Sequence, residues 1–145
     1  CISGVTFGSE KLNITAHNTF RITGHFHTTV VGGTTLAFMG VTYYLLPLIF
    51  RRNIAGKSWA MLQPWFFGIG IIMMAGGMML AGAYGIPRRH WDIVGFGGSP
   101  FAFTWDPTVY MWLGVMGIGS ILATLGGMMY VGVTLATVLG GKKIE

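Results

Sequence analysis

Charged side chains are scarce in this sequence: they make up 9% of its 145 residues, and only four of them are acidic. A typical soluble domain has about 25% charged residues, which cover its water-exposed surface. So low a content argues against a water-soluble helical bundle, and we expect no nucleic-acid partner. There is a single cysteine, Cys1, which excludes an internal disulfide.

Long runs that contain almost no charged residues take the place of a charged surface. They extend from about Thr19 to Phe50, from about Ser58 to Tyr84 and from about Pro107 to Leu139. Because ~20 helical residues cross the ~30 Å hydrocarbon core of a bilayer, each run is long enough to span it. The sequence therefore predicts an all-α polytopic membrane protein with three transmembrane helices. The predicted segments are 1–18 (the end of a preceding helix and an outer loop), 19–50, 58–84 and 107–139 (transmembrane helices), 51–57 (a cytoplasmic loop), 85–106 (an outer loop) and 140–145 (a cytoplasmic tail).

Local chemistry indicates where the runs end. Asp106 followed by Pro107 is an N-cap with proline at the first helical position, so the third helix is predicted to begin there. Gly85 and Pro87 end the second helix, since neither sustains a helix. Basic residues gather in the loop after the first run and in the C-terminal tail: Arg51, Arg52, Lys57, Lys142 and Lys143. The positive-inside rule makes that side cytoplasmic, with the N-terminus outside and the C-terminus inside.

Small residues recur at four-residue spacing along two of the runs. The two sets are Gly77, Ala81 and Gly85, and Gly119, Ala123 and Gly127. Because such faces let helix backbones approach closely in lipid, we expect close helix packing at both sets and no chemistry there.

Two histidines one residue apart, His25 and His27, lie within the first run. A helix turns about 100° per residue, so positions i and i+2 point to nearly opposite sides. This pair cannot hold a single metal ion, whereas two planar cofactors, one on each side of the helix, fit the geometry. An ionisable residue in the hydrocarbon region costs free energy unless it is paired, and therefore indicates a functional site. The alternative is a structural role in helix–helix hydrogen bonds, as in a non-enzymatic assembly or transport subunit.

Haem ligation is the natural use of such imidazoles. Arg88 and Arg89 return to the outer side after the second run, and His17 lies about 12 Å above His25 on that side if the helix continues at 1.5 Å per residue. Guanidinium groups bind carboxylates through charge-assisted and often bidentate bonds, and each haem has two propionates. The pattern thus places imidazoles within the membrane and basic residues above them, at the level of the propionates.

These residues carry a resemblance to a known family. The segment from His17 to His27 (His-Asn-Thr-Phe-Arg-Ile-Thr-Gly-His-Phe-His) resembles the tenth-helix signature of subunit I of the haem-copper terminal oxidases. Pro87-Arg88-Arg89 resembles the propionate-binding pair of that family, after its eleventh helix. The resemblance covers nearly the whole chain, from the end of the ninth helix through the twelfth.

The resemblance implies a role for each of these residues. His25 is the proximal ligand of the high-spin haem at the oxygen-reducing site, and His27 is one of two axial ligands of the low-spin haem. Arg88 and Arg89 bind haem propionates, and His17 is a further candidate for that task. Two haems, of type A or B, are therefore the expected cofactors.

Two positions depart from the family pattern. Asn18 stands where mitochondrial-type members have an aspartate at a magnesium site; an amide brings no charge to a hard cation, which argues against magnesium and favours the divergent bacterial and archaeal branch. Arg21 stands where the family usually has an aromatic or small apolar residue, one turn before His25 on the same helix face. We expect it either to extend to the outer surface or to bind a propionate of the high-spin haem. Asn18 is likewise a candidate for the propionate site.

The resemblance also indicates what other chains or segments have to supply. The family's copper site uses three histidines and a tyrosine from other helices, and its low-spin haem uses a second histidine. This chain has four histidines, of which only His90 is unassigned. We therefore expect copper ligands outside the chain, and we expect the chain to be the C-terminal quarter to third of subunit I. Its partners are then the remainder of subunit I, subunit II and the other oxidase subunits.

The predicted function is that of a proton-translocating terminal oxidase, which reduces O2 to water with electrons from cytochrome c or quinol. The expected location is a prokaryotic plasma membrane rather than the mitochondrial inner membrane. Two alternatives remain open. One is a two-haem electron-transfer cytochrome, whose ligands are normally a multiple of a turn apart; the other is a nitric oxide reductase-like subunit, whose triplet lacks the phenylalanine between the histidines.

Overall fold

The computed structural model describes residues 2–88 and 105–143, most of which are helical. Two short helices, Ile2–Phe7 and Glu10–Ala16, come before three long ones. The first long helix is Phe20–Phe50, the second is Lys57–Ala83 and the third is Pro107–Gly140, and each is long and apolar enough to cross a membrane. The all-α polytopic architecture is therefore confirmed. The long helices differ from the predicted spans by at most one residue at either end.

The segment 1–18, for which the end of a preceding helix and an outer loop were predicted, contains two short helices. The second of them is Glu10–Ala16. Glu10 lies in its first turn, where a carboxylate interacts favourably with the positive end of the helix dipole. Asn18 then adopts a left-handed conformation with φ 59°, which turns the chain into the first long helix.

The predicted N-cap of the third long helix is present. The Asp106 side chain accepts a hydrogen bond from the Thr108 backbone N–H at 2.8 Å, and Pro107 occupies the first turn. This bond stabilises the carboxylate and lowers the pKa of Asp106 below its usual range. The sequence signal was sufficient here because the cap is a contact between near neighbours in the chain.

The basic loop and the basic tail meet at the opposite end of the bundle. Arg52 Nη1 donates hydrogen bonds to the carbonyl oxygens of Leu139, at 3.1 Å, and Gly141, at 3.3 Å. The Asn53 N–H donates to the Lys142 carbonyl at 2.8 Å. Since the last carbonyls of a helix lack partners within the helix, Arg52 completes the end of the third long helix.

Small residues bring the second and third long helices into backbone contact. A Cβ atom added to Gly77 would lie 2.6 Å from the Trp112 carbonyl oxygen, and one added to Gly126 would lie 2.6 Å from the Phe67 nitrogen. Of the two predicted sets, Gly77, Ala81, Gly119 and Ala123 are buried. Gly85 lies beyond the helix end. A Cβ atom added to Gly127 would meet no atom of the described residues within 4 Å. Gly126 packs in place of Gly127 because 3.6 residues per turn keep position i+7, rather than i+8, on one face.

The first long helix packs on the second through Gly24, where an added Cβ would lie 2.6 Å from the Ala75 carbonyl oxygen. Directly after the two histidines the helix changes type, since residues His27–Thr35 form a π-helix. Such segments are rare, usually span a single turn and frequently occur at functional sites. No feature of the sequence predicted this change of helix type.

Candidate functional site

His25 and His27 contact different surroundings. The His25 Nδ1 atom lies 2.8 Å from the Ser3 hydroxyl, and its ring packs edge-on against Phe7 with 5.2 Å between ring centroids. The His27 Nδ1 atom lies 2.8 Å from the Thr23 carbonyl oxygen of its own helix. One imidazole therefore faces the short helix Ile2–Phe7, and the other is held by the backbone of the first long helix.

The hydrogen bond to Thr23 assigns the protonation of His27. A carbonyl oxygen can only accept, so Nδ1 of His27 carries the proton and Nε2 keeps its lone pair. At His25, the partner of Nδ1 is the Ser3 hydroxyl, which can donate or accept, so this bond orients the ring without assigning its tautomer and leaves Nε2 outside the bond. Metal-binding histidines usually hold their second ring nitrogen in such a bond, which fixes the orientation of the ring. Both residues therefore have the chemistry of axial ligands to a haem iron.

A cavity of about 550 Å³ lies on the side of Phe7 and Ser3. Its wall includes Arg21, whose guanidinium carbon lies 5.9 Å from the centroid of the Phe7 ring. This distance is within the range of a cation–π interaction. The rest of the wall includes Thr6 and Thr28 as well as Gly76, Met79 and Leu80 of the second long helix. Ser3 and Phe7 therefore line this cavity together with Arg21 and also contact His25.

Asn18 and Arg88 are seventy positions apart in the sequence and are paired in the structure. The Arg88 backbone N–H donates to the Asn18 carbonyl oxygen at 2.8 Å, and the Arg88 Nε donates to Asn18 Oδ1 at 3.2 Å. The Phe20 N–H donates to the Ile86 carbonyl oxygen at 2.9 Å beside this pair. We call these two residues the Asn18–Arg88 pair. It joins the beginning of the first long helix to the segment that follows the second.

Arg88 also lines a second cavity, of about 470 Å³, together with Phe20, Ile22, Thr23 and Phe26. Thr23 supplies the carbonyl that holds His27, so Arg88 and the His27 partner belong to one cavity. The Nε atom of Arg88 is bonded to Asn18, and the two Nη groups take no part in that bond. A guanidinium with that arrangement suits a carboxylate at the cavity.

The other sequence-predicted residues are not gathered here. His17 is exposed and lines a separate small cavity with Glu10, Asn13 and Ile14. Arg89, like His90, lies outside the described residues. Within residues 2–88 and 105–143, no group of three or more His, Cys, Asp or Glu side chains is placed to hold a metal ion.

Sequence reasoning missed two residues of this site. Thr23 precedes His27 by four positions, which is the spacing at which a side chain reaches a carbonyl of the preceding turn, so a signal was present. Ser3 contacts His25 across 22 positions, and nothing in the sequence indicated that contact.

The fold and the site define a class of membrane protein. Its first long helix presents two imidazoles, those of His25 and His27, to different surroundings, and an arginine lines the cavity next to each of them. The sequence matches the family described as cytochrome c and quinol oxidase polypeptide I over residues 1–122. The chain belongs to this family. The resemblance to subunit I of the haem-copper oxidases is thereby confirmed, as is the integral membrane location.

Individual relatives agree with the family. The chain is 35% identical to cytochrome c oxidase subunit 1 of Thermus thermophilus over 88 residues, which are 59% of this chain and 16% of that protein. It is 30% identical to cytochrome c oxidase subunit 1 of Rhodobacter capsulatus over 130 residues, 87% of this chain and 24% of that protein. Its structure is similar to a chain of a heme-copper terminal oxidase dimer solved by cryo-EM, with a TM-score of 0.80, 28% identity and coverage of 97% of this chain and 24% of that one. The chain thus spans a quarter or less of the length of these relatives.

Proposed function

We propose that this chain is the part of a terminal oxidase subunit I that provides one axial ligand to each of two haems. His25 binds the iron of the high-spin haem, and His27 binds the iron of the low-spin haem. The observation that carries the proposal is the pair of imidazoles with different surroundings on one helix, each of which has its Nδ1 atom hydrogen-bonded and its Nε2 atom outside that bond. The two haems, of type A or B, and a copper ion held by residues outside this chain supply the chemistry by which O2 is reduced to water.

Arg88, Arg89 and Arg21 bind propionates in this proposal. Arg88 shares a cavity with the residue that holds His27, and Arg21 shares a wall with the residues that contact His25. Their positive charges offset the propionate charges and favour the reduced haem. His17 is placed apart from both cavities and is retained only as a residue of the outer surface.

Asn18, which was expected at the propionate site, acts there through Arg88 in this proposal. Its amide oxygen accepts a hydrogen bond from Arg88, so we assign it as the residue that positions this guanidinium. An amide orients the arginine without neutralising it, whereas an aspartate would form an ion pair with it. The neighbouring positive charge and the neutral amide both disfavour a divalent cation, so we propose no magnesium site.

The chain acts within a larger assembly. Its first long helix exposes apolar side chains, with Phe26 55%, Phe38 68% and Tyr44 71% exposed, which gives an extensive face for lipid or the remainder of subunit I. Subunit II and the other oxidase subunits complete the enzyme, which takes electrons from cytochrome c or quinol and translocates protons. We place the Asn18–Arg88 pair on the outer side and Arg52 on the cytoplasmic side of a prokaryotic plasma membrane.

Optical spectra of the complete oxidase test the ligand assignment. In dithionite-reduced membranes, H27A should lose the low-spin haem signal and retain carbon monoxide binding, whereas H25A should lose the carbon monoxide-sensitive signal. T29V is a matched control on the same helix, because the half-buried Thr29 bonds through its hydroxyl to carbonyl groups of the helix backbone, at 3.1 Å and 3.2 Å. Retention of both haems in normal stoichiometry by either histidine variant would contradict the proposal. Two haems that are both insensitive to carbon monoxide would instead favour the electron-transfer cytochrome.

A further inference from the structure

Three buried polar atoms in the half of the bundle nearer the basic loop have no hydrogen-bond partner among the described residues. They are the Tyr43 hydroxyl on the first long helix, the Gln63 Oε1 atom on the second and the Thr134 hydroxyl on the third. Gln63 as a whole is 0% exposed. None of these residues belongs to the haem site proposed above, so the feature is independent of that proposal.

The three atoms lie at one level of the membrane. Tyr43 is seven residues before the end of its helix at Phe50, which corresponds to about 10 Å at 1.5 Å per residue. Gln63 is six residues after Lys57, and Thr134 is six residues before Gly140, which corresponds to about 9 Å in each case. All three helix ends are on the side of the basic loop and the C-terminal tail.

Contacts between neighbouring side chains connect the three positions. The Gln63 Nε2 atom donates to the Met39 sulfur at 3.3 Å, and Met39 lies one turn before Tyr43 on the same face. The Tyr43 ring lies 5.5 Å from the Tyr130 ring, and Thr134 lies one turn after Tyr130. The three residues are therefore linked through Met39 and Tyr130, which are their contacts or their neighbours one turn away, and we call them the Tyr43–Gln63–Thr134 cluster.

The conformation of Thr134 is unusual for this bundle. A threonine inside a helix commonly donates its hydroxyl to the carbonyl four residues before it. Thr137 does so to Val133 at 2.7 Å and Thr124 does so to Ser120 at 2.8 Å. Thr134 does not make this bond, although its hydroxyl is buried.

We propose that the Tyr43–Gln63–Thr134 cluster binds internal water. Buried polar groups are almost always hydrogen-bonded, and a buried water typically has two to four polar partners. The amide oxygen of Gln63 only accepts, while the two hydroxyls donate and accept, so water can donate to Gln63 and bond to either hydroxyl. Such water joins one side chain from each long helix in a part of the membrane where bulk water is absent.

A cryo-EM map of the complete oxidase, at a resolution that shows ordered water, tests the site. We expect density within about 3.2 Å of Gln63 Oε1 and of one of the two hydroxyls. The Q63L variant should lose that density, whereas T42V should keep it, because the Thr42 hydroxyl already bonds to the Phe38 carbonyl of its own helix, at 2.8 Å. An empty junction, direct pairing among the three side chains, or density unchanged in Q63L would overturn the proposal.

Two smaller substitutions test the site even if Q63L fails to assemble. Y43F and T134V each remove one hydroxyl or replace it with a methyl group, and so change the packing little. If water bonds to these hydroxyls, at least one of the two variants should lose the low-spin haem spectrum severalfold faster than the wild type on heating, because it loses a hydrogen bond. If the junction is dry, removal of an unsatisfied hydroxyl should leave the rate unchanged or slow it, and that result would contradict the proposal.

Discussion

The substitution G24A tests how strictly the site depends on contact between the first two long helices. A Cβ at position 24 would lie 2.6 Å from the Ala75 carbonyl oxygen, 2.7 Å from Met79 Cγ and 2.9 Å from the Met79 nitrogen. Optimal separations between non-bonded heavy atoms are about 3.5–4.0 Å, so the helices would have to separate by roughly 1 Å. Two of the three clashing atoms belong to the backbone and cannot move by a change of rotamer.

We expect G24A to cost about 1–3 kcal/mol, which is the usual range for overpacking. The displacement acts on the residue next to His25, so both imidazoles should shift relative to the second long helix. The assay is the haem-to-protein ratio of the purified complete oxidase, together with the midpoint of heat-induced loss of the haem spectrum. Both should fall below those of the wild type.

G33A is the matched control for this prediction. Gly33 lies on the same helix, and a Cβ added there meets no atom of the described residues within 4 Å. It should therefore retain the haem content and the thermal midpoint of the wild type. If G24A behaved like G33A, the close approach at Gly24 would not be what positions the histidines, and the reasoning would be refuted.

Three further predictions concern groups around the site. N18D should lower the reduction potential of the low-spin haem, because an aspartate neutralises the positive charge of Arg88, and R88Q should lower it as well because it removes that charge. A redox titration that shows no downward shift in either variant would contradict this role of the charge. S3A removes the hydrogen bond to His25 Nδ1, at 2.8 Å, and should weaken retention of the high-spin haem by about 10- to 100-fold. The measurement is the loss of the carbon monoxide-binding signal on dilution. T6A is the control, since the Thr6 hydroxyl bonds to the Ser3 carbonyl and not to His25. The lowered pKa of Asp106 means that its N-cap stabilises the fold above the ordinary carboxyl pKa of about 3.9 and ceases to do so as the pH falls through the lower folded value. Thermal stability should therefore fall with acidification below about pH 4 in the wild type and less steeply in D106N, and equal slopes would contradict the cap.

The helices and the N-cap were predictable because their signals are local. Uninterrupted apolar runs determine the three long helices, and the Asp106-Pro107 step determines where the third begins. The positions of His25 and His27 on one helix followed from their spacing alone. These features depend on residues within a few turns of one another, so a single sequence contains the information.

The rest depends on contacts that the sequence does not specify locally. The Asn18–Arg88 pair and the Ser3–His25 hydrogen bond join residues 70 and 22 positions apart. No local sequence pattern indicates the π-helix from His27 to Thr35. The difference between Gly126 and Gly127 arises from the 3.6-residue helical repeat, which a four-residue spacing only approximates over two turns.

A cryo-EM structure of the complete, haem-containing oxidase is the most direct test of the central claim. We expect the Nε2 atoms of His25 and His27 to coordinate the irons of two different haems on opposite sides of the first long helix, with both Nδ1 atoms hydrogen-bonded as described. Coordination of a single iron by both histidines, or a structure in which either imidazole contacts only protein groups, would contradict it.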